Sequence, residues 1–204
     1  MNVITSNCIG GELYERVLKQ QFNNPFMWCL LFADDFIYLY NHFDEIDFSN
    51  VELVKMTTKD DIGTAKHQIN KKIFGMRING KITVWYTHSF YDANCKKPTK
   101  REISNIYYYK NYELVFNNYL KRLARMKETP IFTIIAYQHQ CWTKEKLDAL
   151  NSKYPIYVLT DIPGCKSTDT KHFEYVRNFT KFPWADFENK VKSWKEFLMH
   201  NTKT

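Results

Sequence analysis

The clearest pattern in the chain is an alternation. From Phe74 to Tyr86, apolar and polar positions alternate on both sides of Asn79-Gly80, a dipeptide suited to the positive backbone angles of a type I′ hairpin turn. The second arm places Ile82, Val84, Tyr86 and His88 on one face, with Thr83, Trp85 and Thr87 on the other, because successive strand side chains point to opposite faces. Two unbroken apolar runs, Ile131 to Ala136 and Tyr154 to Leu159, predict strands buried on both faces. Thr143 opens a short helix between them, ending near Asn151. Strand, helix and strand in that order predict a parallel βαβ unit. Val51 to Met56 predicts a further strand.

Helical spacing governs other stretches. Ala33 to Phe43 carries Phe36, Ile37, Leu39, Tyr40 and Phe43 on one side, with Asp34 and Asp35 in the first turn, where acids suit the helix dipole. Residues 106 to 127 predict a long helix with a break near Asn111. Val115, Tyr119, Leu120, Leu123 and Met126 form its apolar side, and Lys121, Arg122 and Arg125 fall on or beside the other face. In the tail, Trp184, Phe187, Val191, Trp194 and Phe197 fit one helix face. Residues 57–70, 91–100 and 163–171 are polar connections. No repeat, low-complexity tract or shift of composition divides the chain. The expectation is therefore a single α/β domain over residues 1–204. It has one mixed, largely parallel sheet flanked by helices, with an inserted β-hairpin.

The first residues add candidate chemistry. Val3-Ile4-Thr5 reads as a strand and Asn7 to Gly11 as a turn; Leu13, Tyr14, Val17, Leu18 and Phe22 then follow at helical spacing. Cys8 thus falls where a strand gives way to a helix. Free backbone N–H groups and the helix dipole there favour an anion, so a thiol so placed ionises more readily. Gly10 and Gly11 leave room for a substrate to approach the backbone. The plainer alternative is a cysteine buried as a small hydrophobe. His88, ending the second hairpin strand, is the most economical partner for Cys8. An imidazole takes the thiol proton and later protonates a leaving group. Asp34, Asp35 and Asp92 are all candidates to orient the ring, with Asp35 the working choice. In a parallel sheet, ligands gather beyond the carboxyl ends of the strands, which places Tyr137, Gln138, His139, Thr160 and Asp161 near one rim.

Composition narrows the classes. The chain has 204 residues, 44% hydrophobic and 25% charged, a balance that belongs to a folded domain rather than a disordered one. The five cysteines, at 8, 29, 95, 141 and 165, are odd in number and irregularly spaced. That argues against a disulfide framework and for a reducing, cytoplasmic setting. The start lacks a secretory leader pattern, and the longest apolar run, Phe26 to Ala33, is too short to span a membrane. The formal charge of +7 is dispersed, which admits an anionic ligand or a lipid surface such as the inner membrane. No recognised module accompanies charge and aromatics, so nucleic acid is not the expected partner. His139, Cys141, Cys95 and Cys165 form no C-x-x-C or H-x-x-x-H pair, so no metal site is expected. There is no Walker loop and no G-x-G-x-x-G, which removes support for nucleotide hydrolysis and for a tightly held dinucleotide.

Several stretches together carry a resemblance. Ser6-Asn7-Cys8-Ile9-Gly10-Gly11, Tyr14 and Asn23-Asn24-Pro25-Phe26 resemble an uncharacterised exopolysaccharide-biosynthesis family. Pro25-Phe26-Met27-Trp28, His88-Ser89-Phe90 and the basic stretch from Tyr119 to Arg125 resemble putative papain-like cysteine peptidases. Both look distantly similar to capsule-polysaccharide acetyltransferases of the WcbI type, which bind coenzyme A. The likeness touches residues 2–45 and 82–160. Met27 stands where the peptidase-like family often has Asp before the Trp, and Ser89 replaces its usual acidic or amide residue after the His.

The resemblance implies an α/β domain with Cys8 as nucleophile and His88 as base, in the making or modification of a surface glycan. The expectation is a cysteine-dependent O-acyltransferase acting on a glycan or its precursor. Acyl-coenzyme A is the donor substrate, and there is no tightly bound cofactor. Arg122 and Arg125 are candidates for the donor phosphates, and Gly10, Gly11 and His139 for substrate contact. A papain-like thiol hydrolase or peptidase using the same pair is the second reading. A non-catalytic glycan- or partner-binding module is the third. The acyl group, the acceptor and the oligomeric state stay open.

Overall fold

The N-terminal strand β1 (Asn2–Thr5) pairs in parallel with β6 (Pro130–Ala136), far along the chain. The structure, a computed structural model, describes residues 2–7, 9–12, 14, 18–21, 23–27, 29–55, 74–86, 112–126, 129–136, 142–151, 153–175 and 184–201. In chain order β1 is followed by helix α1 (Ile9–Glu12), β2 (Cys29–Leu30), α2 (Ala33–Asn41), a 3-10 turn (Phe43–Glu45) and β3 (Val51–Lys55). Next come β4 (Phe74–Ile78), β5 (Ile82–Tyr86), α3 (Tyr112–Leu123), β6, α4 (Lys144–Asp148), β7 (Ile156–Thr160), β8 (Lys171–Tyr175) and α5 (Trp184–Asn201).

Two sheets form. One is parallel throughout, in the order β1-β6-β7-β8; the other is antiparallel, in the order β2-β5-β4-β3. The α/β class and the shared sheet of the first strand with the two late strands hold. The hairpin turns at Asn79-Gly80, both at positive φ. Its strands do not join the parallel sheet, which corrects the expectation of one mixed sheet.

The closed edges of the parallel sheet account for this separation. On β1, the Val3 N–H donates to Tyr14 Oη at 2.8 Å, and Asn24 Nδ2 donates to Val3 O at 2.9 Å and to Asn2 Oδ1 at 3.0 Å. Tyr14 Oη in turn donates to Asn23 Oδ1. Asn24 Oδ1 accepts from Phe26 N. Side chains thus occupy the outward groups to which β2 would otherwise add. On β8, the Phe173 N–H donates to Ser167 Oγ at 2.9 Å, and Lys171 O accepts from Thr168 N at 2.8 Å.

Helix α2 lies between the sheets. Phe36 and Tyr40 meet Phe132 edge-on, with centroids 5.7 and 4.8 Å away. Tyr40 Oη donates to Tyr154 O at 2.6 Å, and burial pushes its pKa up to about 12. A single apolar cluster runs from Ile4, Phe132, Ile134, Ile156 and Val158 of the parallel sheet, through Phe36 and Leu39, to Met76, Ile78, Ile82 and Val84 of the other. Burial of this cluster is the main stabilising term, at about 1.5–3 kcal/mol for each fully buried large side chain.

The other face of the parallel sheet holds α1 and α5. Register aligns Thr5, Thr133, Tyr157 and His172 in one row across it. Trp194 Nε1 on α5 donates to Thr133 Oγ1 at 2.9 Å. Among the described residues, no helix is long and apolar enough to cross a membrane.

Candidate functional site at the carboxyl rim of the parallel sheet

Because all four strands run the same way, their carboxyl ends share one edge. Ala136, Thr160 and Tyr175 are in register there, and β1 arrives beside them through Thr5, Ser6 and Asn7. Such an edge is where ligands collect in parallel sheets. Cys8, His88 and His139 lie outside the described residues. In the chain around them, Asn7 is buried, Ile9 opens α1, and β5 ends at Tyr86.

The turn after β1 is tightly held. Thr5 Oγ1 donates to Asn7 O at 2.9 Å, Gly10 N to Asn7 O at 3.3 Å, and Leu31 N to Ser6 O at 2.8 Å. Ser6 is fully buried, and among the described residues its Oγ has no hydrogen-bond partner. Past the end of β7, Asp161 Oδ1 is likewise buried with none among them, while Thr160 Oγ1 accepts from Ile162 N at 3.0 Å. Unsatisfied buried polar atoms are uncommon in folded proteins, and here one follows the end of β1 and another the end of β7.

Gly10 and Gly11 are in α1 rather than in a turn before it, which corrects their assignment. A Cβ on Gly10 would sit 2.3 Å from Thr5 Oγ1, so that glycine is needed for α1 to lie against β1. Its role is packing first, whatever it offers a substrate.

Asp35 is in the first turn of α2 and accepts from the Thr83 N–H at 2.9 Å. Desolvation raises its pKa to about 6; the Thr83 bond opposes this, neighbouring Asp34 adds to it, and Arg77 opposes it. Asp34 is exposed and ion-paired with Lys146 at 2.8 Å. Sequence reasoning gave both acids a dipole role, and missed that Asp35 holds the edge of β5 beyond β2.

Arg122 is buried, with 2% of its surface exposed, and Arg125 is half-buried. The expectation that both sit on the solvated side of their helix is thereby corrected for Arg122. The apolar stripe that includes Tyr119 does not alone bound the buried side: Tyr119 Oη donates to Phe48 O at 2.8 Å, and the same face takes in Arg122 three residues later. Cys29 is buried and donates to Phe26 O at 3.2 Å. Cys165 is half-buried, and burial pushes its thiol pKa up. Neither is poised as a nucleophile. The described residues hold no cluster of His, Cys, Asp and Glu able to bind a metal.

Comparison with models of known protein families and with curated proteins gives no match.

Proposed function

We propose that this protein is a cysteine-dependent acyltransferase of surface-glycan biosynthesis, working in the cytoplasm at or near the inner membrane. The observation that carries the reading is where β1 ends and α1 begins. β1 ends with Thr5 at the carboxyl rim of a parallel sheet, and α1 begins at Ile9; in the sequence Cys8 falls between them. That is the setting in which a thiolate is favoured.

The reaction has two halves. The Cys8 thiolate attacks the carbonyl carbon of an acyl thioester, and His88 passes the proton it took from Cys8 to the departing thiolate. His88 then accepts the proton of a glycan hydroxyl as that oxygen attacks the acyl-cysteine, and Cys8 leaves as thiolate. Asp35 is kept as the proposed orienting acid; in the structure its carboxylate accepts from the Thr83 N–H, five residues before His88 in the chain. Arg125, half-buried at the end of α3, is the first candidate for a donor phosphate of acyl-coenzyme A. Arg122 is buried and is not the first choice for that role.

Incubation with acyl-coenzyme A followed by intact-mass measurement tests this. One added acyl group that maps to Cys8 and is released by a polysaccharide acceptor supports it. Release to water alone points instead to the thiol hydrolase. A chain that never acylates, and whose Cys8 is inert to iodoacetamide, points to the binding module.

A further inference from the structure

A cavity lies on the face of the parallel sheet covered by α5. It measures about 420 Å³ and is bounded by β8, the residues leading into it and the last turns of α5. That size falls in the range of about 300–1,000 Å³ typical of small-molecule sites.

Its chemistry is one-sided. Three carboxylates line it, Asp169, Glu174 and Glu196, and among the described residues no lysine or arginine does. The chain as a whole carries a formal charge of +7. A negative recess on a positive protein focuses a field that attracts a cation. Hydrogen-bonding groups stand beside the carboxylates: Ser193, Asn201 and the imidazoles of His172 and His200. Phe197 supplies an apolar wall.

Part of the lining is fixed in advance. The His172 ring stacks on Tyr157, with centroids 5.0 Å apart and planes 13° from parallel. Tyr157 Oη is hydrogen-bonded to Glu174, and Phe197 packs on both rings, at 5.5 Å from Tyr157 and 5.9 Å from His172. Side chains already locked by their neighbours lose little freedom when a ligand arrives.

We infer that this cavity binds an amino sugar with a free ammonium group. The carboxylates receive the ammonium, Ser193 and Asn201 meet ring hydroxyls, and Phe197 covers an apolar face of the ring. The site gives the proposed glycan acceptor a place to dock and rests on that reading only for its biological sense. The binding itself needs neither Cys8 nor His88.

Titration of the full chain with glucosamine, N-acetylglucosamine and glucose, followed by nuclear magnetic resonance of the ¹⁵N-labelled protein, tests the site. Saturable shifts for glucosamine, centred on residues 168–174 and 193–201, are expected. The two uncharged sugars are expected to bind several-fold more weakly. Asp169→Asn and Glu196→Gln alter exposed side chains and leave the fold intact. Each is expected to weaken glucosamine binding about threefold to fivefold, the scale of a partly solvated ion pair. Ser193→Trp fills the cavity and is expected to abolish binding. Equal affinity for all three sugars, no saturable shift, or indifference to Asp169→Asn and Glu196→Gln together overturns the inference. Running the series also on Cys8→Ser separates this outcome from failure of the acyl-transfer reading.

Discussion

A Cβ placed on Gly10 falls 2.3 Å from Thr5 Oγ1. The contact joins the first helix to the first strand. Gly10→Ala is therefore expected to destabilise the protein by about 1–3 kcal/mol, the usual cost of overpacking. Thr5→Ala in the same chain removes the clashing oxygen and is expected to recover part of that loss. Urea unfolding of the two single variants and the double variant measures it. Additive losses would mean that the two side chains do not meet.

The edge of β1 gives a second prediction. Asn24 donates to Val3 O and Asn2 Oδ1 and accepts from Phe26 N. Asn24→Asp keeps the shape but loses both donors, and it sets an anion against two oxygens. A loss of about 3 kcal/mol or more is expected, against about 1–2 kcal/mol for Tyr14→Phe. Since an uncovered strand edge invites pairing between chains, Asn24→Asp is also expected to aggregate sooner on heating, as light scattering would detect. Wild-type scattering and stability would contradict the structural role.

Asp35 sets a dependence on pH. Its folded pKa is raised to about 6, first by desolvation, so the folded protein binds a proton that the unfolded chain has already released. Stability from this group is therefore highest below about pH 4, the unfolded value, and is lost as pH rises through about 6. The acids held below their ordinary range act oppositely. These are Asp44 by Lys153, Asp47 by Ser49, and Glu145 by its own backbone N–H and Thr143; their contribution is lost only as pH falls below about 4. Asp35→Asn should flatten the stability profile between about pH 4 and 6 by about 1–3 kcal/mol. Denaturant midpoints at half-unit pH steps would show this; an unchanged slope would mean that the carboxyl is not desolvated.

Arg122 and Arg125 are expected to part company. Arg122→Gln removes a buried guanidinium and should lower the melting temperature by several degrees, consistent with a loss of about 1–3 kcal/mol. Arg125→Gln should leave melting nearly unchanged and weaken coenzyme A binding in calorimetry. Equal melting for both would place Arg122 back on the surface, and unaltered binding in Arg125→Gln would remove it from the donor site.

Much of the parallel sheet was legible because its strands are apolar on both faces. Ile131 to Ala136 and Ile156 to Leu159 need no partner to be recognised. β8 was not, since Lys171-His172-Phe173-Glu174-Tyr175 is an edge strand with one buried-type residue, closed by Ser167 and Thr168. β2 is only two residues long inside a longer apolar run. The separation of the sheets was hidden as well: it depends on Tyr14 and Asn24 folding back onto Val3, a contact that periodicity does not encode. At the site, spacing predicts the strand before residue 8 and a helix after it, but places that helix from Leu13, whereas α1 is Ile9–Glu12. The burial of Arg122 was not readable, because a charged residue beside an apolar stripe reads as solvated, and only packing reveals which side it joins.

The central claim is that Cys8 carries an acyl group in turnover. Intact-mass spectrometry after a short incubation with acyl-coenzyme A measures it most directly, on wild type, Cys8→Ser and His88→Ala side by side. The account predicts one acyl adduct on wild type that maps to Cys8, none on Cys8→Ser, and a much slower appearance on His88→Ala. An adduct that persists in Cys8→Ser, or none on a folded wild type whose Cys8 also resists iodoacetamide, would contradict it.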